Sequence, residues 1–268
     1  MGEASVLVST ANGVCTLEIN RPQVMNAVAG STVRDLRAAL AAARNDPGAR
    51  VLVVTGRGRA FCTGADLSDP EIALDGALEE RPAKLAVLMR ETINPLMEEL
   101  RSFPKPTIAA VNGPAVGGGI GIALSTDITI AASSAYFMQV FTPKLGLVPD
   151  MGVTWYLERL VGRARARGLA MLGDRLPAQE AADWGMIWKA VPDDMFSAEV
   201  AALANRIAGA PALAMRRLSS LLDEAPSNDL ATQLDRERAM QCELVLTQDA
   251  QEAVLAFREK RPPRFVGR

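Results

Sequence analysis

The sequence predicts an α/β fold, because short β-rich runs alternate with longer segments of helical periodicity over most of the chain. The β-rich runs are bounded by Gly, Pro, Asn and Asp, as strands usually are. From about residue 197 the strand signals stop and only helical periodicity continues. We therefore predict a mixed core over residues 1–196 and a helical region over residues 197–268.

The individual elements follow from these patterns. Apolar runs rich in β-branched residues predict strands at Ser5–Val8, Val14–Ile19, Val51–Thr55, Thr107–Val111, Ile128–Ala131 and Ile187–Val191. Apolar positions at helical spacing predict helices at Thr32–Asn45, Lys84–Phe103, Met151–Val161, Ala198–Ala208 and Leu230–Lys260.

The most informative segment is a glycine-rich stretch after the predicted strand Thr107–Val111. Asn112-Gly-Pro ends the strand, and Gly117-Gly-Gly119 opens an apolar, helix-like run. Glycines here let a ligand approach the backbone, and a helix start directs N–H groups at an anion or a developing oxyanion. The patterns of a P-loop and of a dinucleotide-binding turn both fail here. Close packing of a helix on a strand is the alternative interpretation.

Composition and charge exclude several classes of function. With 268 residues and a net charge of −2, the chain has ample material for a core and no basic excess for binding nucleic acid. It contains no histidine, which excludes Ser–His catalysis and a His-based metal site. Three scattered cysteines, no signal-peptide pattern and no membrane-length apolar run predict a cytoplasmic protein without disulfides.

A set of motifs that occurs in order over nearly the whole chain resembles the enoyl-CoA hydratase/isomerase (crotonase) superfamily. The motifs are Asn20-Arg-Pro, Asn26-Ala27, Gly58-Arg-Ala-Phe-Cys-Thr-Gly-Ala-Asp-Leu67, Lys105-Pro-Thr-Ile-Ala-Ala-Val-Asn-Gly113, Gly117-Gly-Gly119, Asp127-Ile, Lys144-Leu-Gly-Leu-Val-Pro149 and Ala253–Arg261. The resemblance implies a crotonase-like spiral core of ββα units and a C-terminal helical region that packs between subunits of a homotrimer or hexamer. It implies an acyl-CoA thioester as substrate, with coenzyme A as part of that substrate and no separate cofactor or metal.

The resemblance also implies the binding site. In that family two backbone N–H groups hold the thioester carbonyl oxygen, and by position these belong to Ala65 and Gly118. Such donors stabilise an enolate oxygen more than the ground-state carbonyl. Further contacts to the substrate are implied for Val24, Thr63, Asp66, Leu67, Gly117, Phe141, Phe257 and Lys260.

The sequence departs from the family's hydratases at two positions. Those enzymes carry two glutamates where this chain has Gly121 and Phe141, and neither of these residues moves a proton. Hydration requires an activated water and a proton donor, so it is disfavoured. Asp150 falls where family isomerases place an acidic residue, and one carboxylate suffices for a 1,3-proton shift. Apolar neighbours would raise its pKa, whereas turn and N-cap chemistry is the alternative role of this Asp.

The surroundings of Asp150 narrow the expected function. The segments 146–157, 162–170 and 182–188 resemble the family's ring-1,2-epoxyphenylacetyl-CoA isomerases of phenylacetate degradation. Such enzymes open an arene epoxide to an oxepin and shift a 3-enoyl-CoA double bond to position 2. We therefore expect an acyl-CoA isomerase. A hydratase-like enzyme of low activity and a non-catalytic acyl-CoA-binding subunit are the alternatives.

Two surface features have open interpretations. The acidic segment Ser68–Lys84 is either a mobile cover of the acyl pocket or a solvated loop. Arg159, Arg163 and Arg167 are four residues apart and share a helical face if their helix continues past Gly162. That face either meets CoA phosphates or is solvated or at an interface.

Overall fold

The structure is a computed structural model that describes residues 4–73 and 75–267. Its strands are β1 (Val6–Ala11), β2 (Val14–Ile19), β3 (Val51–Gly56), β4 (Thr107–Val111), β5 (Ala115–Val116), β6 (Ile128–Ala132), β7 (Tyr136–Met138), β8 (Arg175–Pro177) and β9 (Lys189–Val191). In the main sheet the order is β1-β2-β3-β4-β6-β9, with β1 antiparallel to β2 and the other pairs parallel. A smaller sheet has the order β5-β7-β8.

The helices connect and cover these sheets. They are α1 (Gly30–Asn45), α2 (Arg81–Leu88), α3 (Asn94–Arg101), α4 (Gly118–Leu124), α5 (Val153–Leu172), α6 (Ala178–Asp183), α7 (Phe196–Ala208), α8 (Ala212–Glu224), α9 (Leu230–Leu244) and α10 (Gln248–Glu259). Two π-helical turns, Met89–Ile93 and Phe141–Leu145, precede α3 and follow β7. The predicted α/β fold is confirmed.

The core lies on both faces of the main sheet. Leu52 and Val54 of β3 belong to the larger apolar cluster, together with residues of α1, α3, α4 and α5. Val51 and Val53 point to the opposite face and pack in a second cluster with Ala204, Ile207 and Ala208 of α7. Because successive side chains of a strand alternate between faces, a strand covered on both sides is apolar on both, as β3 is over residues 51–54.

All the predicted strands occur, and β2 and β4 have the predicted bounds. The last strand begins at Lys189 rather than Ile187. Ile187 lies in the turn before the strand, where its side chain is buried. The second sheet was not predicted. Its strands have two or three residues each, too few to show an alternating pattern.

The predicted helices need four corrections. The run Lys84–Phe103 is α2 and α3 joined by a π-helical turn. The run Leu230–Lys260 is two helices, because the Thr247 hydroxyl accepts a hydrogen bond from Ala250 N–H (3.1 Å) and starts α10 anew. Helix α8 lies in a stretch for which no element was predicted. Helix α5 begins at Val153, because Met151 and Gly152 have positive φ values of 51° and 74°.

The three spaced arginines do not share one straight helical face. Helix α5 extends past Gly162, but that residue has φ 75° and ψ 166°, which interrupts the helix between Arg159 and Arg163. Glycine adopts this conformation readily.

Beyond α7, which packs on the main sheet, the chain continues as α8, α9 and α10. The division into 1–196 and 197–268 stays a prediction. None of the helices formed by the described residues is long and apolar enough to cross a membrane.

Candidate active site

The first half of the site is the loop that follows β3. Gly64 has φ 88°, and its carbonyl accepts a hydrogen bond from Val28 N–H (2.7 Å), while Asp66 N–H donates to the Val28 carbonyl (2.9 Å). In such a parallel bridge the N–H of the residue between these two, Ala65, points away from Val28. Among the described residues, no protein acceptor lies in hydrogen-bonding position to Ala65 N–H.

The second half is the start of α4. Gly117 precedes the helix with φ 55° and ψ −123°, and Gly118 is its first residue, so Gly118 N–H has no partner within the helix. No acceptor elsewhere in residues 4–73 and 75–267 forms a hydrogen bond with the Gly118 N–H. A Cβ on Gly64 would lie 3.4 Å from Gly118 N, so the two loops adjoin. The two predicted backbone donors therefore lie on touching segments.

Close contact explains the glycines of α4. All seven residues of the helix are buried. A Cβ on Gly119 would overlap the carbonyl oxygen of Cys62, and a Cβ on Gly121 would lie 2.7 Å from the Cβ of Met151. The packing interpretation of these glycines is thus correct for Gly119 and Gly121, and it is compatible with an N–H on Gly118 that has no hydrogen-bond partner in the described part of the protein.

Asp150 lies against this helix start. Its Oδ1 atom is buried, has no hydrogen-bond partner, and lies 3.8 Å from where a Cβ on Gly118 would stand. Burial raises the pKa of this carboxyl to about 6, opposed by its own backbone N–H. The alternative role as a helix cap is wrong, because the residue at the N-cap of α5 is Gly152 and no side chain caps the helix. A carboxylate with one buried oxygen that lacks a hydrogen-bond partner is thermodynamically costly, and such groups are frequent at functional sites.

The two positions that lack glutamates are both filled by apolar packing. Phe141 is buried, and its ring lies 3.3 Å from where a Cβ on Gly117 would stand. Gly121 lies under the backbone of Met151. Asp150 is therefore the carboxylate next to the Gly118 N–H, and neither Phe141 nor Gly121 supplies a second one.

The predicted substrate contacts fall into three groups. Val24 and Leu67 are exposed, while the Thr63 hydroxyl donates to the Met25 carbonyl (3.1 Å). The Asp66 carboxylate is already engaged, because a hydrogen bond from Ser68 and an ion pair with Arg21 (2.8 Å) hold its pKa below the ordinary value. A contact of Asp66 with a ligand would thus use its backbone.

Phe257 and Lys260 lie at the end of α10. Phe257 is 85% exposed, and Lys260 ends the helix with φ 53°. Their predicted contact with the nucleotide end of CoA stays a prediction.

The sequence did not reveal the residues that hold in place the loop of residues 62–66, here called the donor loop because it carries the Ala65 N–H. Arg21 donates to the Ala27 carbonyl (2.6 Å) as well as to Asp66. Asn26 is fully buried with φ 58°, accepts a hydrogen bond from Arg21 N–H and donates to the carbonyls of Arg57 and Ala60. The family motif that contains Arg21 and Asn26 was the available signal, and it builds the frame of the site.

Two other chemistries find no support here. Cys62 is fully buried in the donor loop, and burial raises the pKa of its thiol to about 11, so it is a poor nucleophile. Among the described residues, no cluster of three or more His, Cys, Asp or Glu is arranged to hold a metal ion.

A large cavity lies away from this site. A space of about 680 Å³ separates the core from α8 and is lined in part by Leu124, Trp155, Ile207, Leu218 and Asp223. It touches none of Ala65, Gly118 and Asp150. Acid–base chemistry requires proton-transfer groups near the reacting atoms, and Asp150 with its neighbours supplies such a group.

The fold and site define an α/β protein in which a loop and a helix start each leave one backbone N–H unpaired among the described residues, and the partly buried Asp150 carboxylate lies beside the helix start. A family model described as Enoyl-CoA hydratase/isomerase matches residues 9–268, and the chain belongs to this family. The resemblance inferred from the motifs is confirmed.

Individual relatives carry different names. The chain is 43% identical to a "Probable enoyl-CoA hydratase" of Rhodobacter capsulatus, over all of both chains. It is 41% identical to the "1,2-epoxyphenylacetyl-CoA isomerase" of Escherichia coli, over 98% of each chain. The crystal structure of an enoyl-CoA hydratase from Bacillus anthracis superposes with a TM-score of 0.89 at 31% identity, covering 98% of this chain and 100% of that one.

Proposed function

We propose that the chain is an acyl-CoA isomerase that moves a double bond through a thioester enolate. The observation that carries the proposal is the buried, unpaired Oδ1 of Asp150 beside Gly118. With a pKa of about 6, this carboxyl is ionised at neutral pH and is a stronger base than an ordinary Asp. Both states of the proton-transfer group are therefore accessible near neutral pH.

The reaction follows from one carboxylate and two donors. The thioester oxygen of a 3-enoyl-CoA accepts hydrogen bonds from Ala65 and Gly118 N–H. The Asp150 carboxylate takes a proton from C2, and the electron pair enters a dienolate whose charge rests on the thioester oxygen. The same carboxyl returns the proton to C4, so the double bond ends between C2 and C3. The proton balance closes without a metal or cofactor, since coenzyme A is part of the substrate.

The E. coli relative supports an aromatic substrate as well. That protein is named for 1,2-epoxyphenylacetyl-CoA, and it is 41% identical to this chain. Conversion of ring-1,2-epoxyphenylacetyl-CoA to oxepin-CoA also begins from an acyl thioester beside an acidic C–H. We include this reaction, and with it a place in phenylacetate degradation, in the proposed range of activities.

Hydration is the second candidate, supported by the name of the R. capsulatus relative. It would need a second group to activate water. Because Gly121 and Phe141 stand where the family's hydratases have glutamates, we expect any hydration to be slow.

The experiment that tests the proposal is product analysis in heavy-oxygen water. Incubation with 3-enoyl-CoA and, separately, with 2-enoyl-CoA is followed by mass spectrometry of the products. The expected result is a shifted double bond without incorporation of ¹⁸O. Rapid incorporation of ¹⁸O would instead establish a hydratase, and binding without any turnover would establish a non-catalytic acyl-CoA-binding subunit.

We further propose that the enzyme assembles as a homotrimer or as a hexamer of paired trimers. Large apolar side chains lie exposed on the C-terminal helices, among them Leu218, Leu222, Leu230, Leu234 and Phe257. Burial of such residues between subunits would remove the cost of their contact with water. Light scattering of the purified protein measures the assembly, and a monomeric mass would contradict this part of the proposal.

A further inference from the structure

Met151 has an unusual conformation for its residue type. It follows Asp150 directly, has φ 51° and is 8% exposed. The left-handed region is unfavourable for a non-glycine residue, so surrounding contacts must hold Met151 there. Those contacts come from α4.

Two glycines on one face of α4 accommodate Met151. Gly118 and Gly121 are three residues apart, so they lie one above the other on the helix. A Cβ on Gly121 would overlap the Met151 carbonyl oxygen and lie 2.7 Å from the Met151 Cβ. A Cβ on Gly118 would overlap the Met151 sulfur. The backbone of Met151 therefore rests on Gly121, and its thioether rests on Gly118.

We propose that Met151 is a positioning residue, seated on Gly121, that sets the Asp150 carboxylate beside the Gly118 N–H. This inference rests on the proposed function, in which Asp150 carries the proton. It adds a reason for the absence of a glutamate at position 121. A side chain at position 121 would overlap the backbone of Met151, which follows Asp150. The observed packing is therefore compatible with proton transfer by Asp150 and incompatible with a second carboxylate at position 121, as in hydratases.

Among the described residues, no charged side chain near Asp150 holds its carboxylate in position, so packing must do so. Helix α4 contains no ionisable side chain, and the turn Phe141–Leu145 contains only the exposed Lys144. The first ionisable side chain of α5 is the phenol of Tyr156, and burial raises its pKa, so it is uncharged at neutral pH. The first charged side chain of α5 is Glu158. The pKa of Asp150 is governed by burial and by its own backbone N–H. If the loop moves away from α4, the carboxylate gains water and its pKa falls toward the ordinary 3.8.

Two variants and a matched control test the inference. Gly121→Ala adds one methyl group under the Met151 backbone. Met151→Ala removes the thioether but keeps a non-glycine residue in the left-handed conformation. Gly168→Ala is the control, because it makes the same change within α5 at a position where a Cβ would meet nothing within 4 Å.

For Gly121→Ala and Met151→Ala we expect kcat to fall about 100-fold, as for a catalytic group displaced by about 1 Å, while KM changes little. The pKa of Asp150, measured by carbon-13 NMR and assigned by comparison with Asp150→Asn, should fall in both variants. Gly168→Ala should match the wild type in both measurements. The variant Gly121→Glu should show no gain in ¹⁸O incorporation from water.

An unchanged kcat and an unchanged Asp150 pKa in Met151→Ala would overturn the inference, as would a gain of hydration in Gly121→Glu. If Gly121→Ala fails to fold, the kcat and the Asp150 pKa of Met151→Ala still decide whether Met151 is a positioning residue. The NMR titration needs no substrate. A wild type without isomerase activity would therefore refute the proposed function while leaving the positioning role of Met151 open to the same test.

Discussion

Replacing Asp150 with Asn is expected to stabilise the protein at neutral pH. Burial raises the pKa of Asp150 from an ordinary 3.8 to about 6, so the folded state holds its proton more tightly than the unfolded state does. Between about pH 4 and pH 6 the unfolded chain has lost this proton while the folded state still binds it, so folding takes up a proton and stability falls as pH rises. Above pH 6 the full cost is present, and below the unfolded pKa it is absent.

The magnitude follows from the difference between these pKa values. From 3.8 to about 6, at 1.36 kcal/mol for each pKa unit, the cost is roughly 3 kcal/mol above pH 6. Asn removes the charge but keeps the shape, and like the protonated acid it places a neutral polar group where Oδ1 has no partner. The variant should therefore gain up to roughly 3 kcal/mol at pH 8 and almost nothing at pH 4.

Denaturant unfolding of both proteins at pH 8 and pH 4 measures this difference. Asp194→Asn, at an exposed position, is the control and should leave stability unchanged at both pH values. A gain of the same size at pH 4 and pH 8 would show that the effect is not electrostatic. No gain at pH 8 would refute the burial of an unpaired charge at Asp150.

Three further outcomes are expected. Because Asp150 must be deprotonated to act as a base, kcat/KM for 3-enoyl-CoA should rise with pH through about 6 and then level off, and a profile flat from pH 5 to pH 7 would contradict this. Gly118→Ala should lower kcat about 100- to 1,000-fold, because the added methyl group overlaps Met151 and disturbs one oxyanion donor. Steady-state kinetics measure this effect, and a kcat near that of the wild type would argue against the Gly118 N–H as a donor. In the native protein a thiol reagent should label Cys242 and leave Cys62 unmodified, since Cys62 is buried with a pKa of about 11. Peptide mass spectrometry measures the labelling, and modification of Cys62 as fast as that of Cys242 would contradict this.

Much of the fold was predictable because its information is local. Strand β4 is apolar after Thr107 and is followed by Asn112-Gly113, so both its type and its end were readable from the sequence. Helix α1 repeats apolar residues at helical spacing, and these are the residues it buries. The second sheet was missed because its pairing of β5, β7 and β8 depends on tertiary contacts between very short segments.

The site was predictable only where a motif carried it. The free N–H of Ala65 depends on the bridge between Val28 and the donor loop, which spacing alone does not reveal. The role of Met151 was missed because nothing in its sequence context distinguishes a left-handed Met from one that opens a helix. Likewise, spacing does not reveal that the Asp66 carboxylate pairs with Arg21, forty-five positions earlier in the chain, and the contact of Asp66 with the substrate stays a prediction.

The most direct test of the account is turnover of 3-enoyl-CoA by Asp150→Asn, measured together with binding of the acyl-CoA by calorimetry. We expect the rate to fall about 100- to 10,000-fold, as for loss of a general acid–base, while the dissociation constant stays near that of the wild type. Turnover like that of the wild type would contradict the central claim that the Asp150 carboxylate carries the proton.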